Sequence, residues 1–148
     1  MSLSLWMVLG FAAWTILVLV VGVGVRRWAS VLRGHADLTS FPADVPHGSV
    51  PYRRAMRAHA NCLENLPVFT AIVLVGAVTR LNPPGMDALA VTTMTARIAQ
   101  TSVHMLFPER NATIAVRFAF FFVQIVAMLL IGLLLGHAAL HPHMTDNP

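Results

Sequence analysis

LSLWMVLGFAAWTILVLVVGVGV, residues 3 to 25, carries no charged side chain and stops at Arg26-Arg27. A helix that crosses a bilayer needs about 20 mostly apolar residues, and this run has them. The apolar core of a secretory leader is shorter, roughly 7–15 residues, and follows a basic segment. Nothing basic precedes Leu3, and no small-residue cleavage site follows Val25. The stretch reads as a retained membrane helix over residues 3 to 27.

Three further apolar runs follow. They predict helices over about residues 55–80, 86–107 and 112–140. Asn82-Pro83-Pro84-Gly85 and Pro108-Glu109-Arg110-Asn111 are the turns between them. Short turns make neighbouring helices antiparallel. The first connection, residues 28 to 54, is long and holds Gly34, Pro42, Pro46, Gly48 and Pro51; the tail from His141 is short and polar. The expectation is one all-α domain over residues 1–148, an integral membrane four-helix bundle of up-down topology.

Composition agrees. Hydrophobic residues make up 57% and charged residues 11%, against roughly a quarter charged in a soluble domain. All ten basic residues are Arg, and the net charge is +4. They are divided between a loop and apolar runs rather than gathered on one solvated patch, so nucleic acid is not an expected partner. The single cysteine, Cys62, allows no intramolecular disulfide, and no metal site is expected. Arg26, Arg27, Arg33, Arg53 and Arg54 flank or lie in the first loop. The positive-inside rule then predicts a cytoplasmic first loop and both termini outside, in a multi-pass protein expected in a bacterial inner membrane. Arg80 is the one exception to that bias.

The ionisable residues inside the runs are ordered. Arg57, Asn61 and Glu64 are spaced i, i+4, i+7 on the second helix; Arg97, Gln100 and His104 are spaced i, i+3, i+7 on the third; Arg117 and Gln124 are seven apart on the fourth. Each set shares one helix face. Charges within a span cost roughly 2.5–3.5 kcal/mol on insertion scales, so they turn toward the bundle interior or a subunit interface. If the stripes converge, Arg57, Arg97 and Arg117 outnumber Glu64, and Arg cannot shed its proton. An anionic occupant is the expected remedy. The planar guanidinium fork suits carboxylates, and Glu64 suits an ammonium. A small zwitterion with more than one carboxylate fits the set. A structural alternative stands beside it: Arg57 and Arg117 snorkel to the interface, while Arg97 and Glu64 form an interhelical pair.

Arg57-Ala58-His59-Ala60-Asn61-Cys62-Leu63-Glu64-Asn65-Leu66-Pro67-Val68-Phe69 resembles the signature of the MAPEG family, the membrane-associated proteins of eicosanoid and glutathione metabolism, which include microsomal glutathione transferases. Ala96-Arg97-Ile98-Ala99 and Arg117-Phe118-Ala119-Phe120-Phe121-Phe122-Val123 resemble the family in the third and fourth helices. The sequence departs from the family pattern at Ala60, where some members carry a second Arg. It departs again at Gln100, where several have His, and at His104, where catalytic members commonly have Tyr.

The resemblance implies a homotrimer with glutathione as co-substrate, held between subunits near the cytoplasmic side. Arg57, Asn61, Glu64, Arg97 and His104 would bind it, with Arg33 as a further family arginine, and Arg117 would activate the thiol. The implied activity is a glutathione transferase or peroxidase in which the thiolate attacks a lipophilic small molecule arriving among the membrane lipids. The alternative within the same fold is a non-catalytic lipid-binding or accessory membrane protein.

Overall fold

A computed structural model describes residues 1–41 and 47–141; Pro42, Pro46 and the tail beyond His141 lie outside the described residues. Four long helices account for most of the chain: α1 (Leu3–Leu32), α2 (Val50–Thr79), α3 (Met86–Leu106) and α4 (Asn111–Leu140). Leu38–Ser40 forms a single 3₁₀ turn in the first loop. This is an integral membrane four-helix bundle. Its outer surface is covered by exposed Trp6, Ile16, Leu74, Val78, Leu129 and Leu133, side chains that lipid can solvate and water cannot.

Three of the helices are long and apolar enough to cross a membrane. The fourth, α3, carries Asp87, Arg97 and His104 and so falls below them in hydropathy. Its 21 residues still extend about 31 Å at about 1.5 Å per residue. It lies between α1 and α4, pairing most extensively with α4, and buries its polar side chains there. Asp87, in its first turn, accepts hydrogen bonds from the backbone and hydroxyl of buried Ser4, which ties the start of α1 to the start of α3.

Two helices reach further into the first loop than the apolar runs suggest. The first continues to Leu32 rather than 27, and the second starts at Val50 rather than 55. Ser49 at the N-cap and Pro51 in the first turn favour that earlier start, since Pro lacks only an N–H that has no helical acceptor there.

The first helix changes winding at Val18–Gly24, a π-helical segment. Wider winding leaves carbonyls poorly paired, and Arg26 Nη1 donates to Gly22 O at 2.6 Å. Gly22 also lets three helices meet, because a Cβ there would lie 3.2 Å from both Ala55 Cβ and Met105 Cε. The core runs between the helices through Phe11, Cys62, Phe69, Val73, Met86, Met128 and Ile131. Pro67 stays within α2 on its exposed side, as membrane helices allow.

Candidate functional site

The three polar stripes do not all point the same way. The buried face of α2 is Tyr52, Ala55, Ala58, Cys62, Asn65, Phe69, Val73 and Gly76, at spacings of three and four. Arg57, Asn61 and Glu64 fall on the other side of that helix; Arg57 and Glu64 are exposed and Asn61 is half-buried. On α3 the whole stripe turns inward: Arg97, Gln100 and His104 are all buried. On α4, Gln124 is fully buried and Arg117 half-buried. A single pocket enclosed within one chain is therefore not formed. Two stripes turn inward and one outward, because the small and apolar residues of α2 claim the interior.

Two groupings result. The deeper one surrounds Arg97, which is 1% exposed. Its guanidinium carbon lies 5.3 Å from the centroid of the Phe11 ring, a cation–π distance. Its Nε and Nη2 are buried with no hydrogen-bond partner. Cys62 Sγ lies 3.7 Å from Thr101 Oγ1 one turn further along α3. Beside it, Gln124 Nε2 donates to Gln100 Oε1 at 3.0 Å and to Phe120 O at 3.0 Å, leaving Gln124 Oε1 without a donor. The interhelical Arg97–Glu64 pair of the structural alternative does not form. Among the described residues the one ion pair within 4 Å is Arg57–Glu109.

The outer grouping lies where α2 begins and α3 ends. Arg57 Nη1 meets Glu109 Oε1 at 3.2 Å, with side chains 64% and 46% exposed. Arg54 Nη1 donates to the carbonyl of Phe107 at 2.5 Å. The charges of Arg117, Glu109, Arg57 and Arg54 all reach His104. Buried nitrogens here lack partners too: His104 Nε2 and Arg117 Nε. So Arg57, His104 and Arg117 share one electrostatic neighbourhood, and Arg97 sits deeper. Arg33 stands apart: it caps α1, is exposed, and makes no side-chain contact with the other candidates among the described residues.

Sequence reasoning missed Glu109, which it read as part of a turn. The signal was scarcity: there are six acidic residues in the chain, and this one follows Pro108 directly after the third span. It also used Arg53 and Arg54 for orientation alone, although both line a polar cavity with Arg57 and Glu109.

Chemically, the arrangement is a set of fixed cations with unspent hydrogen-bond donors, at and below one end of the bundle. Such a set stabilises anions, and stabilises most strongly an anion that excludes water. No curated protein and no solved structure matches the chain. The model of the MAPEG family matches residues 3–137, nearly the whole chain. The chain belongs to the MAPEG family.

Proposed function

We propose that the protein binds glutathione and acts as a glutathione transferase or peroxidase on lipophilic electrophiles. The observation that carries this reading is the unpaired donor set: Arg97 Nε and Nη2 and Arg117 Nε are buried without acceptors in a member of this family. Buried cationic donors left unpaired are costly, and an anionic ligand relieves the cost. Glutathione carries two carboxylates, an ammonium and a thiol. Arg57 and Asn61 would receive carboxylate, and the exposed Glu64 would receive the ammonium.

The outward face of α2 gives the reading its quaternary part. Arg57, Asn61 and Glu64 lie on the surface of one chain, so a site using them together with the inward residues is completed by a neighbour. In this reading the neighbour is a second copy in a homotrimer. The first loop then faces the cytoplasm of a bacterial inner membrane, and the termini face outside.

The thiolate is the reactive form of glutathione. A guanidinium held in low dielectric favours it over the thiol, and Arg117 would take that role. The thiolate forms a C–S bond to the electrophile as its leaving group departs, or as the electron pair of its activated double bond shifts and takes up a proton. With a hydroperoxide it attacks the outer oxygen, the O–O bond breaks, and the alcohol leaves after protonation. A second glutathione then displaces hydroxide from the sulfenic acid to give the disulfide and water. A thermal-shift screen in detergent tests the reading. Glutathione stabilises the protein, and Arg97→Leu abolishes that stabilisation. No glutathione-dependent shift, with stabilisation by lipids alone, supports the second reading of a non-catalytic lipid-binding protein. The Gln100–Gln124 bond favours that second reading, because it engages Gln100 Oε1 within the protein rather than with a ligand.

A further inference from the structure

A polar cavity of about 160 Å³ opens at the start of α2, lined by Val50, Arg53, Arg54, Arg57 and Glu109. At roughly 30 Å³ per water molecule, it has room for a phosphate group. Three guanidiniums face one carboxylate, so the lining is left with an excess of fixed positive charge. Glu109 is engaged by Arg57. Arg54 is anchored through Nη1 to the Phe107 carbonyl, and its Nε is buried with no partner. Arg53 is exposed with no side-chain partner among the described residues. The cavity also sits on the N-terminus of a 30-residue helix whose N-cap, Ser49, makes no side-chain capping bond. First-turn amides have no helical acceptor and carry the positive end of the helix dipole. An anion is the group this lining lacks.

The surroundings decide which anion. Val50 lines the cavity and Phe107, whose carbonyl accepts from Arg54, lies beside it; both side chains are exposed and apolar. A free anion in water gains nothing from apolar shoulders beside its site. A phosphate carried on acyl chains gains from both, since its charge meets the arginines and its chains cover the shoulders. Basic clusters beside membrane spans attract anionic headgroups in the same manner. We infer that Arg53 and Arg54, at the start of α2, form a binding site for the phosphate of an anionic phospholipid, while Arg57 stays with Glu109. The site goes beyond the glutathione reading, which uses neither Arg53 nor Arg54.

The test places the purified protein in nanodiscs of phosphatidylcholine alone or with phosphatidylglycerol at fixed mole fraction, and compares thermal stability. Phosphatidylglycerol is expected to raise the midpoint by about 3 °C. That gain is at least halved in Arg53→Gln and absent in Arg53→Gln/Arg54→Gln, and it shrinks as salt screens the pair. Because each variant is compared with itself in the two lipids, lower overall stability of the double variant does not blur the result. Arg53→Gln alone keeps the Arg54–Phe107 anchor, and Arg80→Gln, at the other end of α2, keeps the full gain. Glutathione-dependent stabilisation is measured on the same samples, and its retention in Arg53→Gln separates this site from the proposed glutathione site. Equal stability in both lipids, an undiminished gain in the double variant, or the same gain from millimolar inorganic phosphate in phosphatidylcholine overturns the proposal.

Discussion

Gln124 on α4 donates to Gln100 on α3 at 3.0 Å, and both side chains are buried in the most extensive helix pair in the bundle. In a membrane protein such a bond adds little on average, about 0.6 kcal/mol, because unassembled helices also find partners. Leaving one partner buried and unsatisfied costs more, about 1–3 kcal/mol. Gln124→Leu is therefore expected to destabilise by about 1–3 kcal/mol. Gln100→Leu/Gln124→Leu recovers part of that loss. A double-mutant cycle of unfolding in detergent reads the coupling, and strictly additive losses would show that the bond does not hold α3 to α4.

Arg97 gives a prediction of opposite sign. It is buried over Phe11 with no carboxylate within ion-pair reach. An uncompensated buried charge is costly, so replacing it by an apolar side chain is expected to stabilise. Arg97→Leu should raise the melting temperature of the ligand-free protein while removing its response to glutathione. If the ligand-free variant is markedly less stable, Arg97 is a structural residue.

Gly22 and Gly132 should respond oppositely to the same substitution. A Cβ at Gly22 meets Ala55 and Met105 at 3.2 Å, whereas one at Gly132 meets nothing within 4 Å. Gly22→Ala is expected to cost about 1–3 kcal/mol by forcing three helices apart. Gly132→Ala gains up to about 1 kcal/mol of helix propensity. Thermal unfolding of the two variants, side by side, checks the close approach at the π-helical segment.

The Arg57–Glu109 pair is exposed and is expected to contribute little, at most about 1 kcal/mol. Glu109→Gln should leave the melting temperature nearly unchanged. Because Glu109 competes with a ligand carboxylate for Arg57, the same variant should bind glutathione more tightly, by about fivefold. Titration calorimetry measures it, and weaker binding would mean that Glu109 belongs to the ligand site rather than opposing it.

The apolar runs were enough to read four helices and a membrane solvent, because an uncharged stretch such as Leu3 to Val25 has no other stable setting. The spacing of Arg57, Asn61 and Glu64 likewise put them on one face. Spacing cannot say which way that face turns. The direction was settled by the competing face, where Ala55, Ala58, Cys62 and Phe69 pack more closely than long charged side chains can. The contacts of Arg57 with Glu109 and of Arg97 with Phe11 join residues distant in sequence, which helical periodicity does not relate. Ser49 and Pro51 did mark the true start of α2, but an apolar-run criterion passes over them.

In the proposed function, the bundle holds glutathione as a thiolate beside Arg117. The most direct measurement is the ultraviolet thiolate band that develops when glutathione is added to the detergent-solubilised protein at neutral pH. The expected result is a band that saturates with glutathione in the wild-type protein and is absent in Arg117→Ala, while both proteins remain folded. A wild-type protein that is stabilised by glutathione yet develops no band, or a band of equal size in Arg117→Ala, would contradict it.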